Sequence, residues 1–308
     1  MQPSRAPFVV RRVVRVYSVQ SVACVEQVDS GVEFLWKWHH AVDVSVSGDG
    51  FGLVVGAGGP TGSAFISAAL DVLRERIGFE PSAAKSIVGT SAGAFVAAHF
   101  EPPSGPQDGQ AAVVESLRSL NNVADFRATL GTRVIRVARV LGGHAFALLA
   151  PPERDEALYD VARGPYHPGV VIVTIEHTWG LRQEYRLVDY PNEAESIVRA
   201  SAAIPYQNAP IRVQGKLRAD GAVHSANNVD LVDPKECPVV VVISPMIPAS
   251  GGSVVSNFHR SQLMEELRPW AQPGRAAVVI APSESEHGAR RDRNAASRAG
   301  AAAAARLF

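Results

Sequence analysis

From Phe51 to Phe100 the chain alternates short apolar runs with glycine-rich turns and helical spacings, and that alternation leaves few folds open. Phe51–Val55 is an apolar run of strand length, and Gly56 to Gly62 is a glycine-rich loop. Ser63 to Ile77 then places Phe65, Ile66, Ala69, Leu70, Leu73 and Ile77 at helical spacing. Ser86–Thr90 is a second strand, and Ala92–Phe100 reads as a helix of small residues. Strand, loop, helix, strand, turn, helix is the pattern of a parallel sheet covered by helices. The expected fold is α/β, with a mostly parallel central sheet sandwiched by helices.

The rest of the chain fits that plan in parts. Val170–Ile175, Glu184–Val188, Val239–Ser244 and Ala277–Ile280 read as strands, and Ala194–Ala200 and Asn257–Trp270 as helices. Residues 111–149 read as helical, and Glu101 to Gln110 as a Pro/Gly-rich surface loop. Residues 1–48 intersperse valine with arginine and hold neither period, so they read as a poorly structured extension; a basic membrane-associating or targeting arm is the other reading. Residues 49–285 then form the main domain. Residues 286–308, an Ala/Arg-rich tail, read as a solvated terminal helix.

Thirty basic residues balance thirty acidic ones, which argues against broad electrostatic capture of nucleic acid. Cys24 and Cys237 make neither a disulfide framework nor a metal cluster, and read as unpaired thiols in a reducing compartment. The longest apolar segment, Pro238 to Ile247, is too short for a membrane span and reads as a buried strand. The N-terminus lacks the compact apolar stretch and cleavage site of a leader. A cytoplasmic location is expected, with peripheral contact at a membrane surface as an extension of it. Nothing in the sequence sets an oligomeric state.

Three elements carry chemistry. Ser91 sits in Gly89-Thr90-Ser91-Ala92-Gly93, on the turn between strand and helix, where its hydroxyl projects into the open with a helix N-terminus behind it. The loop Gly56-Ala57-Gly58-Gly59-Pro60-Thr61-Gly62 lies at another helix N-terminus, and its exposed N–H groups can bind an anion or an oxyanion. Pro60 has no N–H, which leaves Gly58, Gly59 and Thr61 as donors. Asp220 is followed by Gly221 and Ala222, a pairing that on its own reads as a hairpin aspartate.

In this order the motifs resemble the patatin-like phospholipase family, which carries a glycine-rich oxyanion loop, a GxSxG elbow and a DGG or DGA acid motif. Ala57-Gly58-Gly59-Pro60-Thr61-Gly62, Gly89 to Gly93 and Asp220-Gly221-Ala222 supply the match, and Arg199-Ala200-Ser201-Ala202-Ala203-Ile204-Pro205 looks like the family's segment before the acid. The resemblance covers about residues 51–245. It implies a patatin-like fold and a serine lipid acyl hydrolase with Ser91 as nucleophile and Asp220 as general base. Gly58, Gly59, Thr61 and Ala92 would supply the oxyanion hole, with Gly62, Gly89, Gly93 and Gly221 as motif glycines. No metal or organic cofactor is implied, and the partner is a lipid or other acyl-ester substrate. Two positions depart from the pattern. Ala57 replaces the first loop glycine, which is tolerated if that position needs no positive φ. Thr61 stands where relatives often carry a cation.

Rival readings rest on named residues. A Ser–His–Asp triad would draw on His224, His259 or His287, and each reads better as a surface histidine; His99 points away from the elbow. Asp230 and Asp233 are acids without the glycine context. Dinucleotide binding fails at Thr61, and a P-loop fails for want of a lysine before Ser63. A catalytically silent binding protein would keep the fold but has no reason to keep Ser91 with Asp220. The basic–apolar stretch from Arg133 to Leu149 reads as an amphipathic helix on the core, or as a lid or membrane contact.

Overall fold

The computed structural model describes residues 25–28, 31–34, 50–104, 110–123, 161, 163–205, 207–251, 253–289 and 292–308. The chain divides into two compact units, Met1–Trp36 and Lys37–Phe308. In the first, β1 (Val25–Val28) and β2 (Gly31–Phe34) form an antiparallel pair with Val25 opposite Phe34 and Val28 opposite Gly31. The rest of the 1–48 extension, and the 133–149 stretch with its lid or membrane-contact reading, lie outside the described residues.

The second unit is built on one eight-stranded sheet. Its strands are β3 (Phe51–Val55), β4 (Ser86–Thr90), β5 (Val170–Glu176), β6 (Arg182–Arg186), β7 (Ile211–Val213), β8 (Lys216–Asp220), β9 (Val239–Ile243) and β10 (Ala276–Ile280). They lie in the order β10-β9-β3-β4-β5-β8-β7, with β6 also paired to β5. The five strands from β10 to β5 are parallel. β6, β8 and β7 add antiparallel pairing at one side. The central strands are mostly apolar, as strands covered on both faces are; β9, Val-Val-Val-Val-Ile, is buried along its whole length.

Helices α1 (Gly59–Ile77), α2 (Ala92–Ala97), α3 (Gln110–Ser119) and α4 (Ala194–Ser201) cover one face. There Phe65, Ile66, Phe95, Leu117 and Ile197 pack with Leu53, Ile87 and Ile172 of the sheet. α5 (Val254–Leu267) covers the other face, with Leu263, Leu267 and Trp270 against Val54, Val88, Val240 and Val242. Each such side chain, fully buried, contributes about 1.5–3 kcal/mol. Trp270 also donates its Nε1–H to the Cys237 carbonyl at 2.9 Å, so its one polar atom is satisfied.

Several elements begin or end away from their expected limits. α1 starts at Gly59, inside the glycine-rich loop. α5 starts at Val254, where the Ser253 hydroxyl accepts the Ser256 N–H and caps the helix. β6 starts two residues early, because the turn through Gly180 (φ 65) returns the chain against β5 by Arg182. The terminal segment is the clearest correction. After α6 (Glu284–Ala289), helix α7 (Arg293–Ala305) buries Ala296, Ala299, Gly300, Ala303 and Ala304 instead of lying in solvent. A Cβ on Gly300 would stand 2.1 Å from the Phe65 carbonyl oxygen, so α7 packs backbone to backbone on α1. Small residues, weak in hydropathy, are what that approach requires.

Candidate active site

The carboxyl ends of β9, β3 and β4 are level, since Val55 pairs with Ile243 on one side and with Gly89 on the other. From β3 the chain passes through α1 to β4, while β9 lies on the opposite flank. Such a switch point opens a crevice at the carboxyl ends of the strands.

β4 runs straight into Ser91, whose φ of 55 and ψ of −118 form the sharp elbow. A non-glycine residue held at such a φ costs about 1–3 kcal/mol, so its surroundings must hold it. Ser201, at the end of α4, does so. Its hydroxyl accepts the Ser91 N–H at 2.9 Å and donates to the Val173 carbonyl at 2.6 Å, tying the elbow to β5. Two residues on, α2 crosses β3 so closely that a Cβ on Gly93 would lie 1.9 Å from the Val55 oxygen. Only glycine fits there.

Asp220 arrives by a separate route. β6 occupies one edge of β5 over Val171–Ile175, so β4 and β8 share the other. β4 ends there with Thr90 opposite Val173, and β8 takes over with Asp220 opposite Thr174. The register therefore delivers the carboxylate beside the elbow. Ser91 Oγ donates to Asp220 Oδ2 at 2.8 Å, and the Ala222 N–H donates to Oδ1 at 2.8 Å. Both side chains are only 3% exposed. Burial pushes the Asp220 carboxyl up to about 7, opposed by the hydrogen bonds from Ala222 and Ser91.

The glycine-rich loop lies alongside. The Gly56 and Ala57 N–H groups are already used, donating to Ile243 O and Ala226 O at 2.9 and 2.8 Å. Ala57 keeps a negative φ, so the alanine departure costs no strain there. Gly58 is extended (φ −168) and Gly59 turns to φ 61; no acceptor among the described residues takes either N–H. Thr61 lies in the first turn of α1 and Ala92 opens α2. The two helix N-termini converge, since a Cβ on Gly62 would stand 2.9 Å from that of Ala92. Pro245, after β9, backs the loop beside Gly58.

Asp230, Asp233, His99, His259 and His287 have side-chain contacts of their own. Asp230 pairs with Arg182 at 2.7 Å, and Asp233 accepts the Lys235 N–H. His99 Nδ1 lies 2.7 Å from the Phe95 carbonyl, and His287 Nε2 lies 2.9 Å from that of Met246. His259 packs edge-on against Phe258, and the His224 carbonyl accepts from Gln262. Sequence reasoning assigned no part to Ser201 or to Asn228. The latter, in the left-handed region (φ 57), donates to Thr90 Oγ1 at 3.1 Å and steadies the strand before the elbow. For Ser201 the only signal was the small-residue run from Ala200 to Ala203 in the recognised segment.

A sequence profile described as patatin-like phospholipase matches residues 53–233, which include the loop, the elbow, Ser201 and Asp220. Among solved structures, VipD from Legionella pneumophila is similar with a TM-score of 0.40 and 13% identity. The likeness covers 84% of this chain and 66% of that one. No curated protein matches the chain by sequence. The profile match spans more than half of the chain, and the chain belongs to the patatin-like phospholipase family.

Proposed function

We propose that the protein is a serine lipid acyl hydrolase that cleaves carboxylic esters through Ser91 and Asp220. The observation that carries this reading is the 2.8 Å hydrogen bond from Ser91 Oγ to a buried carboxylate. A carboxylate near its ordinary value of 3.8 is a poor base for an alcohol; at about 7 its proton affinity is greater by roughly 4 kcal/mol.

In the proposed reaction Asp220 Oδ2 takes the Ser91 proton as Oγ attacks the ester carbonyl carbon. The carbonyl oxygen becomes an oxyanion held by the N–H groups of Gly58, Gly59, Thr61 and Ala92. Loss of one donor in such a hole costs about 10²–10³ in rate. The intermediate collapses with cleavage of the C–O bond, and Asp220 returns its proton to the departing alcohol. Water, deprotonated by Asp220, then attacks the acyl-enzyme and releases the fatty acid, and Ser91 recovers its proton. The Asp220 carboxylate is hydrogen-bonded by the Ser91 hydroxyl and the Ala222 N–H, which supports the dyad over a triad.

Fluorophosphonate labelling and p-nitrophenyl ester turnover test the reading. Labelling and turnover should vanish in Ser91→Ala, and turnover should vanish in Asp220→Asn. Replacing His224, His259 or His287 with alanine should leave both intact. A folded native protein that neither labels nor turns over ester would contradict it.

A further inference from the structure

Large apolar side chains exposed among the described residues are Trp179, Leu181, Val188, Leu217, Val254, Val255 and Phe308. Single exposed apolar residues are ordinary. Here five of the seven gather at the end of the sheet that carries Ser91.

Trp179 and Leu181, 59% and 58% exposed, belong to the turn between β5 and β6. β5 continues three residues past Val173, which lies opposite Thr90, so that turn begins about 10 Å beyond the level of the elbow. Leu217 stands beside it, its carbonyl accepting the His177 N–H at 3.0 Å. On the other flank, α5 opens with Val254 and Val255, 81% and 59% exposed, after the loop that leaves the carboxyl end of β9. β9 and β5 are three strand spacings apart, about 14 Å, with β3 and β4 between them. The two tips therefore follow strands that flank β3 and β4, whose carboxyl ends carry the glycine loop and the elbow.

Their chemistry is uniform. Between Glu176 and Arg182, and between Glu236 and Arg260, the sequence holds no Asp, Glu, Lys or Arg. A helix N-terminus favours acidic residues, yet the first turn of α5 has none and shows two valines to the outside. Tryptophan at an apolar tip suits the boundary between lipid headgroups and acyl chains. Two tips whose own turns carry no Asp, Glu, Lys or Arg match a continuous fluid surface better than a shaped protein partner.

We propose that this end of the molecule docks on a lipid surface, with Trp179–Leu181 and Val254–Val255 inserted on either side of the crevice. An ester could then pass from lipid to Ser91 without crossing water. The inference rests on the lipid acyl hydrolase reading above.

The test is flotation of the full chain with phosphatidylcholine vesicles, with and without phosphatidylglycerol, at 0.1 and 0.5 M NaCl. Ser91→Ala protein serves for binding without turnover. Binding should be the same in both lipids and both salts. Trp179→Ser with Leu181→Ser, or Val254→Ser with Val255→Ser, should each weaken partition about tenfold or more, since each removes two inserted side chains. Turnover of soluble p-nitrophenyl butyrate should stay within twofold in both variants. The difference in emission between native and Trp179→Phe protein should shift to the blue with vesicles, which reports insertion even where a serine variant misfolds. Native protein that does not float, binding abolished by salt, binding indifferent to both tips, or tips whose loss alters self-association alone would overturn the proposal. Absence of Ser91-dependent turnover of the soluble ester is a different failure, that of the hydrolase reading.

Discussion

Residues 51–97 and residues 170–231 each supply one half of the site, and they are assembled by different rules. In the first segment the glycine loop, α1, β4 and the Ser91 elbow follow one another along the chain, each fixed by neighbours in sequence. In the second, Asp220 reaches Ser91 only because β8 continues the β5 edge where β4 leaves it, and Ser201 reaches the elbow from the end of α4. One half is local chemistry and the other is register. The proposed nucleophile thus stands in a short motif, while its proposed base and its support are brought to it by pairings across more than a hundred residues.

The largest effects should fall on the contact that joins the halves. Ser91→Ala should lower ester turnover by about 10⁴-fold or more, and Asp220→Asn by about 10³–10⁴-fold, in steady-state assays of folded protein. The two changes should differ in stability. Burial raises Asp220 from 3.8 to about 7, so the folded protein holds a proton that the unfolded chain releases. That contribution is complete below about pH 4 and is lost as pH rises through about 7. Thermal unfolding should therefore show Asp220→Asn gaining stability relative to native protein between pH 5 and pH 8, while Ser91→Ala, which keeps the carboxylate, does not show that gain.

Ser201→Ala tests the non-local half without touching a reacting atom. It leaves the Ser91 N–H and the Val173 carbonyl without their partner, a loss of about 1–3 kcal/mol in denaturant titrations. Turnover number should fall about tenfold to a hundredfold with KM little changed, because the elbow loosens while the crevice remains. An unchanged turnover number would show that the elbow is held by local geometry alone.

Away from the site the expected effects are on stability only. Gly300→Ala forces a methyl against the Phe65 carbonyl and should cost about 1–3 kcal/mol, read as a lower unfolding midpoint with turnover preserved. Arg306→Ala removes a half-exposed ion pair with Glu286 at 2.6 Å and should cost about 0.2–1 kcal/mol.

The same division governs what the sequence discloses. β3, β4, β9 and β10 are apolar runs buried on both faces, and their limits read within a residue. The hairpin of β7 and β8 passes unseen: its strands are only three and five residues long, and in β8 Leu217 is exposed while Arg218 is buried, against the polar–apolar alternation of the sequence. Asp220 stands out in the sequence only by its place after the other motifs, since Asp-Gly alone marks any turn. Ser201 has no local signature, because a serine ending a helix is common and only the fold brings it to Ser91 N. The sequence of α7 reads as solvated because alanine and glycine carry little hydropathy, while their value here is thinness.

The most direct test of the dyad is the pH dependence of acylation, measured as the fluorophosphonate labelling rate in native protein, Asp220→Asn and the three histidine variants. Native protein and all three histidine variants should show one rising limb with a midpoint near 7, and Asp220→Asn should be slow and flat across that range. A limb that survives in Asp220→Asn and disappears when one histidine is replaced would assign the base to that histidine and contradict the account.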